Sequence, residues 1–304
     1  MIELKDIDKT FLDVHAVDHI SASIRDNLVF GLVGSNGAGK STLMRLIAGV
    51  LKPDGGSILI DGQPVFENRG AKQDLCFLSD SPYFFPNATI ASMRDYYALI
   101  YPKFDREQFD ALAEKLGLSF SRKIHSFSKG MKKQVSILLG LCSGTRYLLC
   151  DETFDGLDPM VRQAVKALFA AELTQRDFTP VIASHNLREL EDICDSIGLL
   201  HNGKLLLTQD LDQIKYQVHK IQCVLPDEAL EQQLLKELDI LQYEKTGSLL
   251  FLTARGTKDA LLEHVNRKHP IFAEVLPLTL EEIFICETEV AGYEMCIRDR
   301  NRVL

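Results

Sequence analysis

The chain has 304 residues, 46% of them hydrophobic, and a formal net charge of −9. That length accommodates one large domain and a smaller one, and the acidic balance without a dominant basic stripe argues against a nucleic-acid surface. Seven cysteines with no C-x-x-C pair suggest neither a disulfide framework nor a zinc site, so they read as reduced thiols in a cytosolic protein. The first residues are not a signal peptide, and no apolar run approaches the ~18 residues that span a bilayer. The expectation is a soluble protein whose membrane role, if any, comes through a partner.

Residues 2–30 alternate in short stretches (Ile2 and Leu4; Val14, Ala16 and Val17; Ile20, Ala22 and Ile24), as strands joined by polar turns do. Phe11 falls in the first of those turns. Residues 28–33 form a short apolar run that reads as a buried strand. Gly34-Ser35-Asn36-Gly37-Ala38-Gly39-Lys40-Ser41-Thr42 follows and fits the phosphate-binding loop pattern G-x-x-x-x-G-K-[ST]. Its glycines allow successive N–H groups to turn toward phosphate oxygens. Lys40 offers a cation to the β- and γ-phosphates, and the Ser41 hydroxyl is placed for Mg²⁺. Residues 42–48 read as a helix whose N-terminus meets the phosphates.

Pro53-Asp54-Gly55-Gly56 predicts a turn, residues 57–60 a strand, and Asp61-Gly62 another turn. Residues 75–78 read as a buried strand. From 88 to 140 the pattern becomes helical, with Met93, Tyr96, Tyr97 and Ile100 on one face. Residues 147–150 predict a core strand ending at Asp151-Glu152. A helix over 160–175, a strand over 180–183, a helix over 187–194 and a strand over 197–200 complete an α/β pattern to about residue 215. Beyond Lys220 the order is strand 220–225, helix 227–238, a hairpin about Thr246-Gly247-Ser248, helix 257–268, strand 271–276 and helix 279–287. That order suits a small ferredoxin-like α+β unit. The expected division is 1–215, with a helical subdomain over about 88–140, then an accessory domain over 216–290. The tail 291–304 continues no pattern, resembles translated sequencing-adaptor read-through, and is expected to lie outside the fold.

The residues after the loop carry the chemistry. Asp151 can hold Mg²⁺ and its water, while Glu152 can polarise an attacking water. Upstream, Phe127-Ser128-Lys129-Gly130-Met131-Lys132-Lys133-Gln134 is a polar turn entering a helix. Downstream, Phe154-Asp155-Gly156-Leu157-Asp158-Pro159 is a loop closed by a proline that can start a helix. His185 ends a buried strand. Taken singly, each has a structural explanation.

In this order and spacing, over roughly residues 1–215, the set resembles the ATP-binding-cassette (ABC) ATPases. The resemblance implies an α/β P-loop NTPase cassette: a mixed sheet core, an antiparallel β subdomain and a helical subdomain. It implies two cassettes packed head to tail around two ATP molecules. By that likeness Phe11 stacks on adenine, and residues Gly34, Ser35, Asn36, Gly37, Ala38, Gly39, Lys40, Ser41 and Thr42 hold phosphates and Mg²⁺. Asp151 is the further metal-side ligand, Glu152 the general base, and His185 the γ-phosphate contact. Ser128 and Gly130 reach the γ-phosphate across the dimer, and Asp158 links the two sites.

The chain also departs from the family pattern. The serine–glycine turn usually written L-S-G-G-Q is here Phe127-Ser128-Lys129-Gly130-Met131, similar to exporter cassettes of the bacitracin-resistance type. Asp80 occupies the position of a metal- and water-contacting glutamine; a carboxylate can ligate Mg²⁺ but cannot donate a hydrogen bond. Thr153 stands where proline is usual. Residues 277–284 resemble the C-terminal end of such exporter cassettes. The implied protein is an ATPase subunit of a transporter, an exporter, on the cytoplasmic face of a separate membrane permease. It would act as a homodimer or heterodimer, with ATP and Mg²⁺ and without nucleic acid or direct membrane insertion. A soluble cassette ATPase outside transport is the alternative; a GTPase or small-molecule kinase fits less, since no Asn-Lys-x-Asp stretch occurs. Residues 80–87 hold three consecutive aromatics between two prolines, and Tyr83 and Phe84 are the expected permease anchors, with burial against the cassette's own helices as the competing explanation.

Overall fold

The computed structural model describes residues 1–290, with side chains to 287; the expectation for the tail 291–304 therefore lies outside the described residues. The described residues divide into two compact units, Met1–Thr208 and a second that begins at Gln209.

The first unit opens with β1 (Ile2–Phe11) and β2 (Val14–Ile24), an antiparallel pair. β3 (Phe30–Val33) leads into the phosphate-binding loop and α1 (Lys40–Ile47). β4 (Gly55–Ile60) pairs with β1, and β5 (Gln63–Pro64) closes a four-stranded antiparallel sheet ordered β2-β1-β4-β5. A short α2 (Arg69–Gln73) precedes β6 (Leu75–Leu78). Helices α3 (Ile90–Ile100), α4 (Arg106–Lys115) and α5 (Lys129–Leu141) follow, with a 3-10 turn at Ile124–Ser126 before α5. Then come β7 (Tyr147–Asp151), α6 (Pro159–Gln175), β8 (Thr179–Ser184), α7 (Leu187–Glu191), β9 (Ser196–His201) and β10 (Lys204–Asp210).

The second sheet has six strands ordered β10-β9-β3-β8-β7-β6, and β9, β3, β8, β7 and β6 run parallel. Strands buried on both faces need continuous apolar sequence, which β3, β7 and β8 supply. One face of α1, with Leu43, Met44, Leu46 and Ile47, packs with Ile2, Leu4 and Ile20 of the antiparallel sheet and Leu32, Leu149 and Val181 of the parallel one. One helix thus serves both sheets, which ties the loop preceding it to a single rigid core.

The helical stretch has its own core of Ile90, Met93, Phe109, Ala113, Leu138 and Leu139. Thr89 and Ser92 form a reciprocal capping box at the start of α3, and Asp105 caps α4. Met93 is buried and Tyr97 half-buried, but Tyr96 and Ile100 are exposed, so the apolar face of α3 is narrower than its periodicity predicts.

Two further differences are local. The helix expected over 187–194 stops at Glu191, because the amides of Ile193 and Cys194 both close onto Leu190 O. Asp195 then exchanges hydrogen bonds with Val29 at the entry to β3. The sequence pattern does not mark β10, and the first unit closes at Thr208 where that pattern suggests about 215.

The second unit contains α8 (Leu211–Gln217), β11 (Val218–Val224), α9 (Glu228–Glu237), β12 (Asp239–Thr246), β13 (Leu249–Arg255), α10 (Lys258–Asn266), β14 (Phe272–Leu276) and α11 (Leu280–Val290). Its sheet, ordered β12-β13-β11-β14 with every pair antiparallel, has the split β-α-β topology of a ferredoxin-like unit. Ile221 and Cys223 alternate with outward residues and meet Leu250, Leu252, Leu234 and Leu261 in one core.

Candidate functional site

Strand order decides which chain segments meet. β8 lies between β3 and β7, with Val33 beside Ser184 and Asp151 beside Ala183. The loop after β3, the carboxylates at the end of β7 and the histidine after β8 therefore share one carboxyl edge of the parallel sheet. That edge is where open α/β sheets bind ligands.

At that edge the backbone of the phosphate-binding loop is closely constrained. Gly39 has φ 106, and a Cβ there would lie 2.2 Å from Ala16 O; a Cβ on Gly34 would lie 2.3 Å from Leu200 O. Only glycine fits where neighbouring strands press so closely. Ser35, Asn36 and Gly37 form the exposed lip, while Ala38 is buried beneath it. No side chain caps α1, which leaves its first-turn amides available to an anion. That is an anion cradle, and it fits a nucleotide phosphate.

Lys40 is buried, with Nζ donating to Gly34 O at 2.8 Å and Ser35 O at 3.1 Å, and lying 3.6 Å from Glu152 Oε1. Ser41 Oγ donates to Asp151 Oδ1 at 3.0 Å. Asp151 is 1% exposed, and burial lifts its carboxyl above the usual carboxylate range, against the opposing Ser41 hydrogen bond. A hydroxyl facing a desolvated carboxylate is a hard-oxygen donor set that suits Mg²⁺.

Glu152 departs from the strand with φ 47, a left-handed conformation that costs an L-residue about 1–2 kcal/mol. Its amide donates to Ala183 O at 2.9 Å. Its carboxylate lies 3.6 Å from His185 Nδ1, and that nitrogen is 3.1 Å from Asp155 Oδ2. Ser184 Oγ donates to Asp155 Oδ1 at 3.3 Å, so Asp155 bridges the two residues at the end of β8.

The other expected site residues lie around this cluster. Asp80 pairs with the buried Lys133, Oδ1 to Nζ at 2.9 Å. It is also near enough to Asp151 to add to that carboxyl's upward shift. Ser128 Oγ accepts from Met131 N as the cap of α5, and Gly130 lies beside Gly156 O. Asp158 caps α6 by accepting from Met160 N, with Pro159 in the first helical position. Phe11, which ends β1 rather than sitting in the turn, presents an exposed ring with the Lys9 ammonium 5.3 Å from its centroid. Thr42 lies half-buried in the first turn of α1, and Thr153 is buried with its hydroxyl donating to Asp151 O.

Of the two expected anchors, Tyr83 is 75% exposed, whereas Phe84 packs against the helical core. The exposed aromatic strip instead runs through Tyr83, Phe85 and Tyr96, edge to face at 5.9 and 4.8 Å. Alternation around Phe84 turns one ring inward and its neighbours outward. Lys133 and Asp155 were not singled out from the sequence. The signal existed for Lys133, because helical spacing puts it on the face of Ser136, Ile137 and Gly140, all buried.

Fold and site together define a P-loop nucleotide hydrolase with a mixed α/β core. A family model described as ABC transporter matches residues 17–155. The chain is 30% identical to the ABC transporter ATP-binding protein YtrB of Bacillus subtilis (strain 168), over 94% of this chain and 98% of that protein. It is 31% identical to the bacitracin transport ATP-binding protein BcrA of Bacillus licheniformis, over 71% of each chain. A solved structure of the ATP binding subunit of an ABC transporter superposes with a TM-score of 0.65 at 25% identity, covering 71% of this chain and 92% of that one. The chain belongs to the ABC transporter ATP-binding family and is an ATPase subunit that acts with a membrane partner. No helix among the described residues is long and apolar enough to cross a membrane.

Proposed function

We propose that this chain drives an exporter from the cytoplasmic face of the membrane, closing as a homodimer or heterodimer of cassettes on two ATP molecules and passing that motion to a separate permease. The observation that carries the hydrolytic reading is the convergence of Lys40, Ser41, Asp151, Glu152 and His185 at one sheet edge. Residues 34–42 hold the phosphates, Lys40 neutralises charge on the β- and γ-oxygens, and Phe11 receives the adenine. Ser41 and Asp151 would hold Mg²⁺, while Asp80 serves as the counter-ion of Lys133. When bound, the cation offsets charge on the phosphoryl oxygens.

Glu152 accepts a proton from the attacking water. Its neighbours His185 and Lys40 steady the carboxylate, and Asp155 lies beside the same imidazole nitrogen of His185. Ser128 and Gly130 complete the site of the opposing cassette, and Asp158 links the two sites.

Export is supported by the likeness over 71% of each chain to a bacitracin transport protein. Reconstitution tests it. The chain, co-expressed with its multispanning membrane partner and placed in liposomes, should export solute only with ATP inside the accessible compartment. ATP-driven uptake into the cytoplasmic side, or full turnover with no membrane partner dependence in transport, contradicts it.

A further inference from the structure

Lys133 is buried more deeply than Lys40, 1% against 4% exposed, and the roles given above do not use it. Its ammonium has three hydrogens and meets three acceptors: Asp80 Oδ1 at 2.9 Å, Glu152 O at 2.6 Å and Asp155 O at 2.9 Å. With all three donors engaged inside the protein, Lys133 is not a free cation awaiting phosphate. A position that served only to fill space would tolerate a methionine of similar length without the cost of burying charge.

The acceptors come from two separate segments: Asp80 from the stretch after β6, and Glu152 and Asp155 from the loop between β7 and α6. Glu152 is the one with strained backbone, at φ 47. Its amide is held by Ala183 O and its carbonyl by Lys133, so both sides of the residue are fixed. The direction of the carboxylate follows from that backbone conformation, and it points at Lys40 and His185.

We propose that Lys133 is a positioning residue that locks Glu152 in its left-handed conformation, with Asp80 as its counter-ion, so that the segment carrying Asp80 and Tyr83 reports to the catalytic base. Lys133 sits on the helix that Ser128 caps, five residues further on. The clamp therefore also ties the serine–glycine turn to the chain's own base. This inference rests on Glu152 being the base.

Lys133→Met and Asp80→Asn, singly and together, test it by steady-state ATPase kinetics, binding of a fluorescent ATP analogue, and magnesium titration. Loss of a supporting contact of this type typically lowers activity ~10–100-fold. For Lys133→Met the expected result is such a fall in kcat, with analogue affinity within about threefold of parental. Asp80→Asn should lower kcat less, with the half-saturating Mg²⁺ concentration unchanged, and the double variant should be no worse than Lys133→Met alone. A parental kcat in Lys133→Met overturns the proposal, as does a parallel loss of kcat and affinity, or fully multiplicative effects in the double variant. If Lys133→Met does not fold, Asp80→Asn decides: lower kcat at unchanged magnesium requirement supports the clamp, and parental kcat or a shifted magnesium requirement overturns it. Glu152→Gln, assayed beside them, separates the two claims. If it hydrolyses ATP at the parental rate, the base assignment fails; if it is slow while Lys133→Met is parental, only the clamp fails.

Discussion

The Ser41 hydroxyl donates to the Asp151 carboxylate at 3.0 Å across 110 residues of sequence. β8 between β3 and β7 makes that meeting possible, and the core around α1 fixes it. Holding a carboxylate there is costly, because burial favours its protonated form.

That cost predicts a trade of stability for function. An acid whose folded pKa is raised destabilises the fold when ionised. The penalty is full above the folded pKa and disappears as pH falls below the unfolded value of about 3.9. Asp151→Asn should therefore raise Tm of the nucleotide-free protein by a few degrees at pH 7.5, on the order of 1 kcal/mol. The gain should shrink toward pH 4, and magnesium-dependent ATPase activity should be lost. Thermal melts across pH check this; a gain independent of pH would contradict the desolvation argument.

Lys40→Ala should weaken ATP binding and stop turnover. A charge-assisted hydrogen bond contributes about 1.5–3 kcal/mol, so affinity should fall roughly 10–150-fold. The variant also leaves the carbonyls of Gly34 and Ser35 without their ammonium donor. Equilibrium binding of a fluorescent ATP analogue measures the loss, and parental affinity would remove Lys40 from phosphate binding.

Shared sites have a sharper signature. Ser128→Arg costs the cap of α5, about 1 kcal/mol, and should leave ATP binding by a single subunit intact. Its homodimers should not turn over, and neither should those of Lys40→Ala. Mixed, the two variants form heterodimers with one intact composite site, so activity should reappear. No recovery on mixing, or parental activity in Ser128→Arg alone, contradicts head-to-tail sharing.

The exposed aromatics predict a separation of phenotypes. Tyr83→Ala and Phe85→Ala should lose co-purification with the membrane partner while basal ATPase activity and Tm stay near parental. Phe84→Ala, at the half-buried ring, should instead lower stability by about 2–3 kcal/mol. Melting curves and pull-downs on the three variants check this. Unfolding of Tyr83→Ala would place that ring in the core.

Much of this was readable from the chain because it depends on local pattern. Residues 75–78 and 147–150 are apolar runs bounded by polar residues, and both are strands at those positions. The glycine loop, Asp151-Glu152 and the β-α-β-β-α-β order of the second unit carry their own periodicity. Non-local pairing was not readable. Nothing in the order of segments says that β8 lies between β3 and β7, and that placement sets His185 beside Glu152. The Lys133 clamp joins residues up to 53 positions apart, and its cue was a lysine on an apolar helix face. β10 and α8 leave only a weak pattern because each is short, β10 mostly half-exposed and α8 mostly exposed.

The central claim is that Glu152, at the end of β7, is the base that activates water for ATP hydrolysis. Glu152→Gln keeps the shape and removes the proton acceptor, and one general base contributes ~10²–10⁴-fold. The decisive measurement is ATPase turnover of that variant beside its ATP affinity. The account predicts turnover reduced by at least a hundredfold at parental affinity, with a magnesium-ATP-dependent dimer trapped in light scattering. Parental turnover would contradict it.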